Sequence, residues 1–178
     1  HYGLVLAARV CEVVTKKSFD RLIQERIIRP LKMKGTSFTD ENGNSPNPNT
    51  GGVSTANDYL NFLIMLLNQG KFEGKQILSP AALKELESPS TEELPAAFSP
   101  QAANGLDYAL GCWVVEKSEG GKSQLLTCPS FYGSWPWLDH CRNYAAVLLV
   151  KNELKDPQRK IADQLRDILE NEFGPCNQ

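Results

Sequence analysis

The chain has 178 residues, of which 41% are hydrophobic and 22% are charged, and its formal net charge is −2 at pH 7. This is the composition of an ordinary globular protein, and the chain is long enough to bury a hydrophobic core. Lysines and arginines are scattered, so we predict no nucleic acid or membrane surface as a partner. No segment has the roughly 20 consecutive apolar residues of a membrane-spanning helix.

The first half of the sequence predicts helices. Residues 2–17 carry apolar side chains mostly at helical spacing, and Ser18 is predicted to cap a second helix that Pro30 ends. The segment 40–49 is rich in Asn, Gly, Ser and Pro and predicts a loop. A further helix is predicted to begin at 79–80, where a serine N-cap is followed by a proline in the first helical position.

The most informative segment is 51–70, GGVSTANDYLNFLIMLLNQG. The Ser-Thr pair at 54–55, followed by Asp58, predicts a helix start of the capping-box type, in which a side-chain carboxylate accepts from a free backbone N–H. All but one of the residues 59–67 are apolar. Because a surface helix needs a polar face, we predict that this helix is buried on most sides. Gly70 is predicted to end it.

The second half predicts strands. Residues 108–115 are aromatic and β-branched, and a glycine turn leads from them to a second strand at 124–128. Further strands are predicted at 133–138 and 144–150, and the continuously apolar character of the last favours a central position in the sheet. A final amphipathic helix is predicted from 156–157, an Asp-Pro pair, with its charged residues on a solvated face.

Helices followed by antiparallel strands and a last helix are typical of an α+β fold. We predict a helical subdomain over 1–90, a connecting loop over 91–106, and an antiparallel sheet with a packed C-terminal helix over 107–178. The first residues resemble the middle of a helix rather than a natural start, so we expect the chain to be a piece of a longer protein.

The five cysteines include no Cys-x-x-Cys pair, and the chain has two histidines, so the sequence predicts no metal site and no cofactor. An odd count leaves at least one thiol unpaired within the chain. Cys112 and Cys128 lie in predicted strands that one turn connects, so they could come close, and whether they bond depends on the strand register. The favoured interpretation is that these cysteines are free and buried as small hydrophobic side chains.

Four segments, in this order along the chain, resemble the later half of the class C type of serine β-lactamases and penicillin-binding-protein-like hydrolases. IIRPLKMKGT at 27–36 resembles the family signature I-x-x-P-L-G-M-x-x-T, with Lys32 in place of glycine. GGVST at 51–55 resembles its G-G-L-x-S-T motif, one residue shorter. The other two are 2–19, similar to the stretch after the family's Tyr-x-Asn motif, and 132–150, similar to the strand pair after its third catalytic motif.

The resemblance implies acyl transfer through an activated serine. In that family a Ser-x-x-Lys motif at a helix start carries the nucleophile, the tyrosine of Tyr-x-Asn shares the proton transfer, and a Lys-Thr-Gly or His-x-Gly strand lines the opposite wall. This sequence has no Ser-x-x-Lys, and alignment on Tyr2 places the family's Tyr-x-Asn just before the first residue. No catalytic residue is therefore assigned within the chain.

Only the third motif falls inside the chain, where counting back from 132–133 places it on Cys128, Pro129 and Ser130. Cys128 stands where the family has a basic residue, and a neutral thiol supplies no positive charge for a substrate carboxylate. Ser130 adds a Cβ where the family has glycine. Phe131 offers a backbone N–H at the oxyanion position. These four residues are the predicted substrate-strand and oxyanion candidates.

Three interpretations stay open. The intact protein is a serine hydrolase of altered specificity for a small-molecule or peptide substrate (a β-lactam, a D-amino-acid peptide or a small ester), or it is a pseudoenzyme that keeps the fold for binding. Alternatively, the chain pairs with the missing N-terminal portion or with a second chain, through an apolar patch around the first helix. The resemblance alone implies a bacterial protein that is periplasmic or secreted.

Other candidate sites are weaker. Cys128 as a nucleophile would need a base, and His140 would reach it only if the intervening segment turned back on itself. Ser134, Asp139 and His140 are triad residue types, but a triad is recognised by geometry rather than by closeness in sequence. We expect the Asp139–His140 pair to mark a turn between strands, and the three tryptophans to fill a core.

Overall fold

The computed structural model describes residues 2–39, 46–91, 103–130, 132–150 and 156–176, with the backbone alone for 156–159. Its helices are α1 (Tyr2–Thr15), α2 (Phe19–Ile23), which continues as a π-helical turn over Gln24–Ile28, α3 (Ala56–Leu67), α4 (Pro80–Glu87) and α5 (Asp156–Phe173). Its strands are β1 (Lys71–Phe72), β2 (Lys75–Gln76), β3 (Asp107–Tyr108), β4 (Trp113–Lys117), β5 (Ser123–Thr127), β6 (Trp135–Asp139) and β7 (Tyr144–Leu148). This order confirms the predicted α+β fold.

The predicted helix starts are present. Ser18 Oγ accepts a hydrogen bond from the backbone N–H of Arg21 at 3.3 Å, and Ser79 Oγ accepts one from that of Ala82 at 3.1 Å. Pro80 occupies the first position of α4, where a missing N–H costs no intrahelical bond. Local sequence signals therefore fix where these helices begin.

The main sheet is antiparallel, with strand order β3-β4-β5-β6-β7. The predicted strand at 108–115 is two strands, β3 and β4, because the chain turns between them. Gly111 has φ +98°, and the backbone N–H of Ala109 donates to the carbonyl of Cys112 at 2.8 Å. A glycine adopts this left-handed conformation without a side-chain clash, so a run that looks continuous in sequence folds into a hairpin.

The prediction that the last strand is central in its sheet is wrong for the described strands, since β7 lies at one end of the strand order. Its apolar character has another cause. Ala145 packs with the core on the helical side, whereas Ala146 and Leu148 pack with α5 on the other side. Helices thus cover both faces of β7, and apolar residues are favoured at every position although the strand is at an edge.

Two hydrophobic clusters lie on opposite faces of the sheet. The cluster on the helical side joins Leu31 and Met65 to the strand residues Leu126 and Leu138. The second cluster packs α5 against the sheet. Its buried members are Leu125, Trp135, Trp137, Tyr144 and Ala162. Burying each large apolar side chain contributes roughly 1.5–3 kcal/mol, so α5 and α3 are both held mainly by packing.

The tryptophan prediction is confirmed for two of the three residues. The rings of Trp135 and Trp137 are stacked, with centroids 6.3 Å apart, and both side chains are buried. Trp113 is half-buried and meets Tyr108 edge to face.

The first helix contrasts with the rest of the fold, because no residue of α1 is buried. Its exposed apolar side chains are Tyr2, Leu4, Val5, Leu6, Val10, Val13 and Val14. No described helix is both long enough and apolar enough to cross a membrane.

The division into 1–90, 91–106 and 107–178 stays a prediction. The cluster on the helical side contains residues from both proposed parts. Residues 40–45 of the first predicted loop and 92–102 of the second lie outside the described residues.

Candidate functional site

The predicted third-motif residues follow β5 and begin the turn into β6. The backbone N–H of Ser130 donates to the carbonyl of Ser134 at 2.9 Å, and Ser130 Oγ accepts from the backbone N–H of Ser134 at 3.1 Å. Gly133, with φ +84°, donates its N–H to the carbonyl of Ser130. The serine that replaces the family's glycine therefore closes this turn with its own side chain. Phe131 lies outside the described residues, so its role in an oxyanion hole stays a prediction.

The candidate residues lie at the end of a strand rather than along a sheet edge. β5 is the middle of the five described strands, and Cys128 follows its last paired residue, Thr127. In the β4–β5 pair, Val114 is opposite Leu126 and Trp113 is opposite Thr127. Continued by one residue beyond the two strands, this register brings Cys112 opposite Cys128, on the face that points to the helical layer.

Cys112 and Cys128 are free thiols, as the favoured interpretation of the sequence predicts, but both are half-buried rather than fully buried. Burial raises the pKa of Cys112 to about 12, and the neighbouring Cys128 adds to the shift. Burial also raises the pKa of Cys128. Both are neutral thiols at pH 7, so Cys128 supplies neither a positive charge nor a thiolate nucleophile.

Tyr59, in the first turns of α3, is a residue of the helical layer that interacts with these two thiols. Burial raises the pKa of its phenol, and Cys128 and then Cys112 raise it further. The pKa of Tyr108 is raised by burial and by the same two thiols, against an opposing hydrogen bond from the backbone of Gly111. The two thiols thus act electrostatically on both phenols near the end of β5, and all four groups are uncharged at neutral pH.

The sequence reasoning missed Tyr59, although a signal was present. The spacing Tyr-x-Asn does occur in the chain, at Tyr59-Leu60-Asn61. It follows the segment at 51–55 instead of preceding 2–19, so the resemblance does not place the family's motif on it. In the structure Asn61 Nδ2 donates to the carbonyl of Leu31 at 2.9 Å, which assigns the amide a structural role.

The predicted capping box at the start of α3 is only half formed. Thr55 Oγ1 accepts from the backbone N–H of Asp58 at 3.2 Å, as predicted. The carboxylate of Asp58 instead accepts from the backbone N–H of Gly35 at 2.7 Å and from Thr36 Oγ1 at 2.9 Å. Thr36 Oγ1 also bonds Ser54 Oγ at 2.7 Å. Asp58 therefore connects the turn at Gly35 and Thr36 to the start of α3, the helix that carries Tyr59.

The glycine pair before α3 is required by close packing. A Cβ on Gly51 would lie 2.7 Å from the carbonyl oxygen of Phe38, and one on Gly52 would lie 3.3 Å from the Phe38 ring. Contacts below 3 Å require the backbone to shift. The two glycines thus allow the chain to pass beside Phe38 on its way to the helix.

The alternative sites fail on geometry. The backbone N–H of His140 donates to Gln124, at the opposite end of β5 from Cys128, so the two side chains do not form a nucleophile–base pair. His140 Nε2 instead bonds Glu87 Oε1 at 3.0 Å. Asp139 accepts from the backbone N–H groups of Cys141 and Arg142, at 2.9 and 2.7 Å, in the turn between β6 and β7. The predicted turn is confirmed, and the triad is not formed.

A polar cavity of about 660 Å³ lies at that far end of the sheet. Its lining includes Leu83, Glu87, Lys122, Ser123, His140 and Asn143. No motif predicts this cavity, because its lining residues come from α4 and from turns between strands that are separate in the sequence. Among the described residues, no group of three or more His, Cys, Asp or Glu side chains is placed to hold a metal ion.

The arrangement of helices and antiparallel sheet is that of the β-lactamase/transpeptidase-like fold. Similar solved structures include a candidate β-lactamase from Bacteroides dorei DSM 17855, with 24% identity over 89% of this chain and 54% of that one, at a TM-score of 0.70. A β-lactamase from Mycobacterium bovis has 18% identity over 97% of this chain and 62% of its own, at a TM-score of 0.76. Unliganded simvastatin synthase from Aspergillus terreus has 15% identity over 94% and 53% of the two chains, at a TM-score of 0.67.

The β-lactamase family model matches residues 1–170, so the chain belongs to the β-lactamase family of serine hydrolases. It spans between about half and two thirds of the length of the similar structures named above. No curated protein is significantly similar to it in sequence.

Proposed function

We propose that this chain forms one wall of the acyl-transfer cleft of a serine hydrolase whose nucleophile comes from a portion outside this sequence. The observation that carries the proposal is the position of Cys128, Pro129 and Ser130. They follow the last residue of β5, and the thiol of Cys128 is close enough to Tyr59 of α3 to raise the pKa of its phenol. The chain has no Ser-x-x-Lys motif to supply a nucleophile. In the family, the third motif lines the substrate and does not attack it, and this is the only motif of the three that falls inside the chain.

The chemistry of this wall favours an uncharged substrate. Cys128, Cys112, Tyr59 and Tyr108 are all neutral at pH 7, since thiols and phenols ionise only above that pH and burial raises the pKa of each further. A wall of this kind donates and accepts hydrogen bonds but gives no charge to pair with a carboxylate. We infer a preference for small esters or neutral amides over β-lactams and peptides that carry a free carboxylate.

The exposed face of α1 supports a missing portion as partner. Leu6 is 66% exposed, Val10 61% and Val14 74%, although each is strongly apolar. Contiguous exposed apolar side chains on one helix are typical of an interface. The similar structures are about one and a half to two times as long as this chain, so the family offers a segment of the right size to cover the helix.

A pseudoenzyme is the second candidate function. Two features favour it: Ser130 uses its side chain to close the turn, and Cys128 replaces the basic residue of the third motif. Such a protein would bind a ligand in the same cleft without forming an acyl intermediate.

The test uses the full-length protein that contains this chain. We expect a fluorophosphonate probe to form a covalent adduct, and p-nitrophenyl esters to be turned over faster than a chromogenic cephalosporin. Cys128→His restores the family's basic residue at the wall and should raise cephalosporin turnover relative to ester turnover. Cys11→His makes the same change on α1, outside the proposed substrate wall, and should leave that ratio unchanged even if it alters both rates.

The outcomes separate the candidates. No adduct and no turnover, in a protein that still binds a substrate analogue, would establish the pseudoenzyme. An equal effect of the two Cys→His substitutions on the turnover ratio would show that Cys128 does not line the cleft.

A further inference from the structure

We propose that Cys112 and Cys128 are a reversible redox pair, which a small-molecule disulfide converts into a cross-strand disulfide between β4 and the end of β5. This inference concerns the chain's own thiols and goes beyond the proposed hydrolase. In the acyl-transfer proposal these two residues serve only as uncharged lining of the cleft, whereas here they are a site of covalent modification.

The strand register carries the proposal. Trp113 pairs with Thr127 and Val114 with Leu126, so one further step along the same ladder brings Cys112 opposite Cys128. Directly opposed residues in an antiparallel pair have Cα atoms about 4.5 or 5.5 Å apart. Disulfides span Cα distances of about 4.4–6.8 Å, so both values allow the bond.

The direction of the two cysteine side chains also allows a disulfide. Side chains alternate between the faces of a strand, so both cysteines share the face of Val114 and Leu126. Cys112 packs against the cluster that contains those two residues. The two thiols therefore point to the same side of the sheet.

The surroundings predict that the pair reacts slowly at neutral pH. Burial and the neighbouring thiol raise the pKa of Cys112 to about 12, and burial raises the pKa of Cys128. Only the thiolate attacks a disulfide, so the reaction should accelerate as the pH rises. The same chain pairs Cys141 with Cys176 in a disulfide, so a further cysteine pair would not be the first in this fold.

The bond forms by thiol–disulfide exchange. The thiolate of one cysteine attacks the reagent, here oxidised glutathione, to give a mixed disulfide and one glutathione thiol. The second cysteine then attacks the sulfur of the first and releases the second glutathione. Two protein thiols are oxidised, the sulfur–sulfur bond of the reagent is reduced, and the protons of the cysteines end on the two released glutathione thiols.

The experiment follows the sulfur chemistry by mass and does not need hydrolase activity. The protein is equilibrated with a glutathione redox buffer from two starting points, fully reduced and refolded under oxidising conditions, and is then alkylated and digested. We expect both samples to yield a linked peptide pair that contains Cys112 and Cys128, with faster linkage at higher pH. Adding a reducing agent should cleave this disulfide.

Single substitutions give the controls. Cys112→Ser or Cys128→Ser should abolish the linked pair and leave the other cysteine as a mixed disulfide or a free thiol. Cys11→Ser removes an exposed cysteine on α1 and should leave the linkage unchanged. If both starting points end with Cys112 and Cys128 free or separately glutathionylated, the proposal is wrong, whatever the outcome for the hydrolase.

Discussion

At the scale of single residues, Asp58 shows how a short motif acquires a different partner in the fold. Its position three residues after Thr55 predicts a capping box, yet its carboxylate is buried and accepts from Gly35 and Thr36. A carboxylate that accepts two hydrogen bonds in a buried site is held more strongly than one at an exposed helix start. Asp58 thus stabilises the junction between two segments rather than the end of one helix.

Asp58→Ala should therefore lower the free energy of unfolding by about 3 kcal/mol, because it leaves the N–H of Gly35 and the hydroxyl of Thr36 without this acceptor. Thr55→Ala removes only the helix cap and should cost about 1 kcal/mol. Urea denaturation of the two variants measures the difference. Equal costs would mean that Asp58 acts only as a cap.

Cys128 is the second residue whose role depends on its surroundings. From the sequence it is a substitution of the third motif, and the structure adds that it faces Cys112 and Tyr59. The titratable groups that interact with it, the Cys112 thiol and the Tyr59 and Tyr108 phenols, are also uncharged at neutral pH. If these neighbours were charged, a neutral residue at position 128 would not make the site uncharged.

At the scale of the elements, α3 is the best-predicted part of the chain. None of its residues from Asp58 to Leu67 is exposed, as its nearly continuous apolar sequence predicts. Its end differs in detail, because Gln69, with φ +55°, takes the left-handed position and Gly70 follows with φ +80°. The N–H of Gly70 donates to Met65 at 2.9 Å and that of Gln69 to Leu66 at 3.1 Å, which is the Schellman arrangement.

The end of α3 gives a matched pair of substitutions. Gly70 and Gly74 have φ +80° and +79°, but a Cβ on Gly70 would overlap the carbonyl oxygen of Leu78, whereas one on Gly74 meets nothing within 4 Å. Gly74→Ala should cost only the left-handed conformation, about 1 kcal/mol. Gly70→Ala should cost at least about 2 kcal/mol more, because the backbone after α3 must move.

Thermal unfolding followed by circular dichroism compares these two variants with the parent protein. Similar midpoints for Gly70→Ala and Gly74→Ala would show that the contact with Leu78 relaxes without cost.

At the scale of the whole molecule, the sheet is enclosed between α3 and α5, and a covalent link holds the second of these helices. Cys141, in the turn after β6, is bonded to Cys176, after the end of α5. In the same region Arg142 bonds Asp139 at 2.8 Å and Glu116 at 3.2 Å. Burial opposes the charge of Arg142, yet these hydrogen bonds raise its pKa, so it stays a cation beside two acids.

Replacing both Cys141 and Cys176 by serine should lower the free energy of unfolding by about 2–4 kcal/mol, since the bond closes a long loop in the unfolded chain. Hydrogen exchange should show the loss of protection mainly in α5, with α3 less affected. Cys11→Ser is the control and should change stability by less than about 0.5 kcal/mol. A uniform loss of protection across both helices would contradict the independent anchoring of α5.

How much was predictable depends on how local each signal is. Signals carried by a few neighbouring residues were read correctly from the sequence. They are the caps at Ser18 and Ser79, the buried character of α3 and the start of α5. The split of 108–115 into two strands, by contrast, depended on the conformation of Gly111. Apolar spacing alone does not show whether a chain continues or turns back.

Residue order was enough to establish the fold class, the family and the lack of a Ser-x-x-Lys motif, because local patterns and motif spacing carry all three. Folding was needed to show that the β4–β5 register leads to Cys112 and Cys128, that both thiols act on Tyr59 and that β7 lies at the edge of the described sheet. These are contacts between residues far apart in the chain. They depend on strand register and on the packing of helices across the sheet, and no pattern within one segment specifies either.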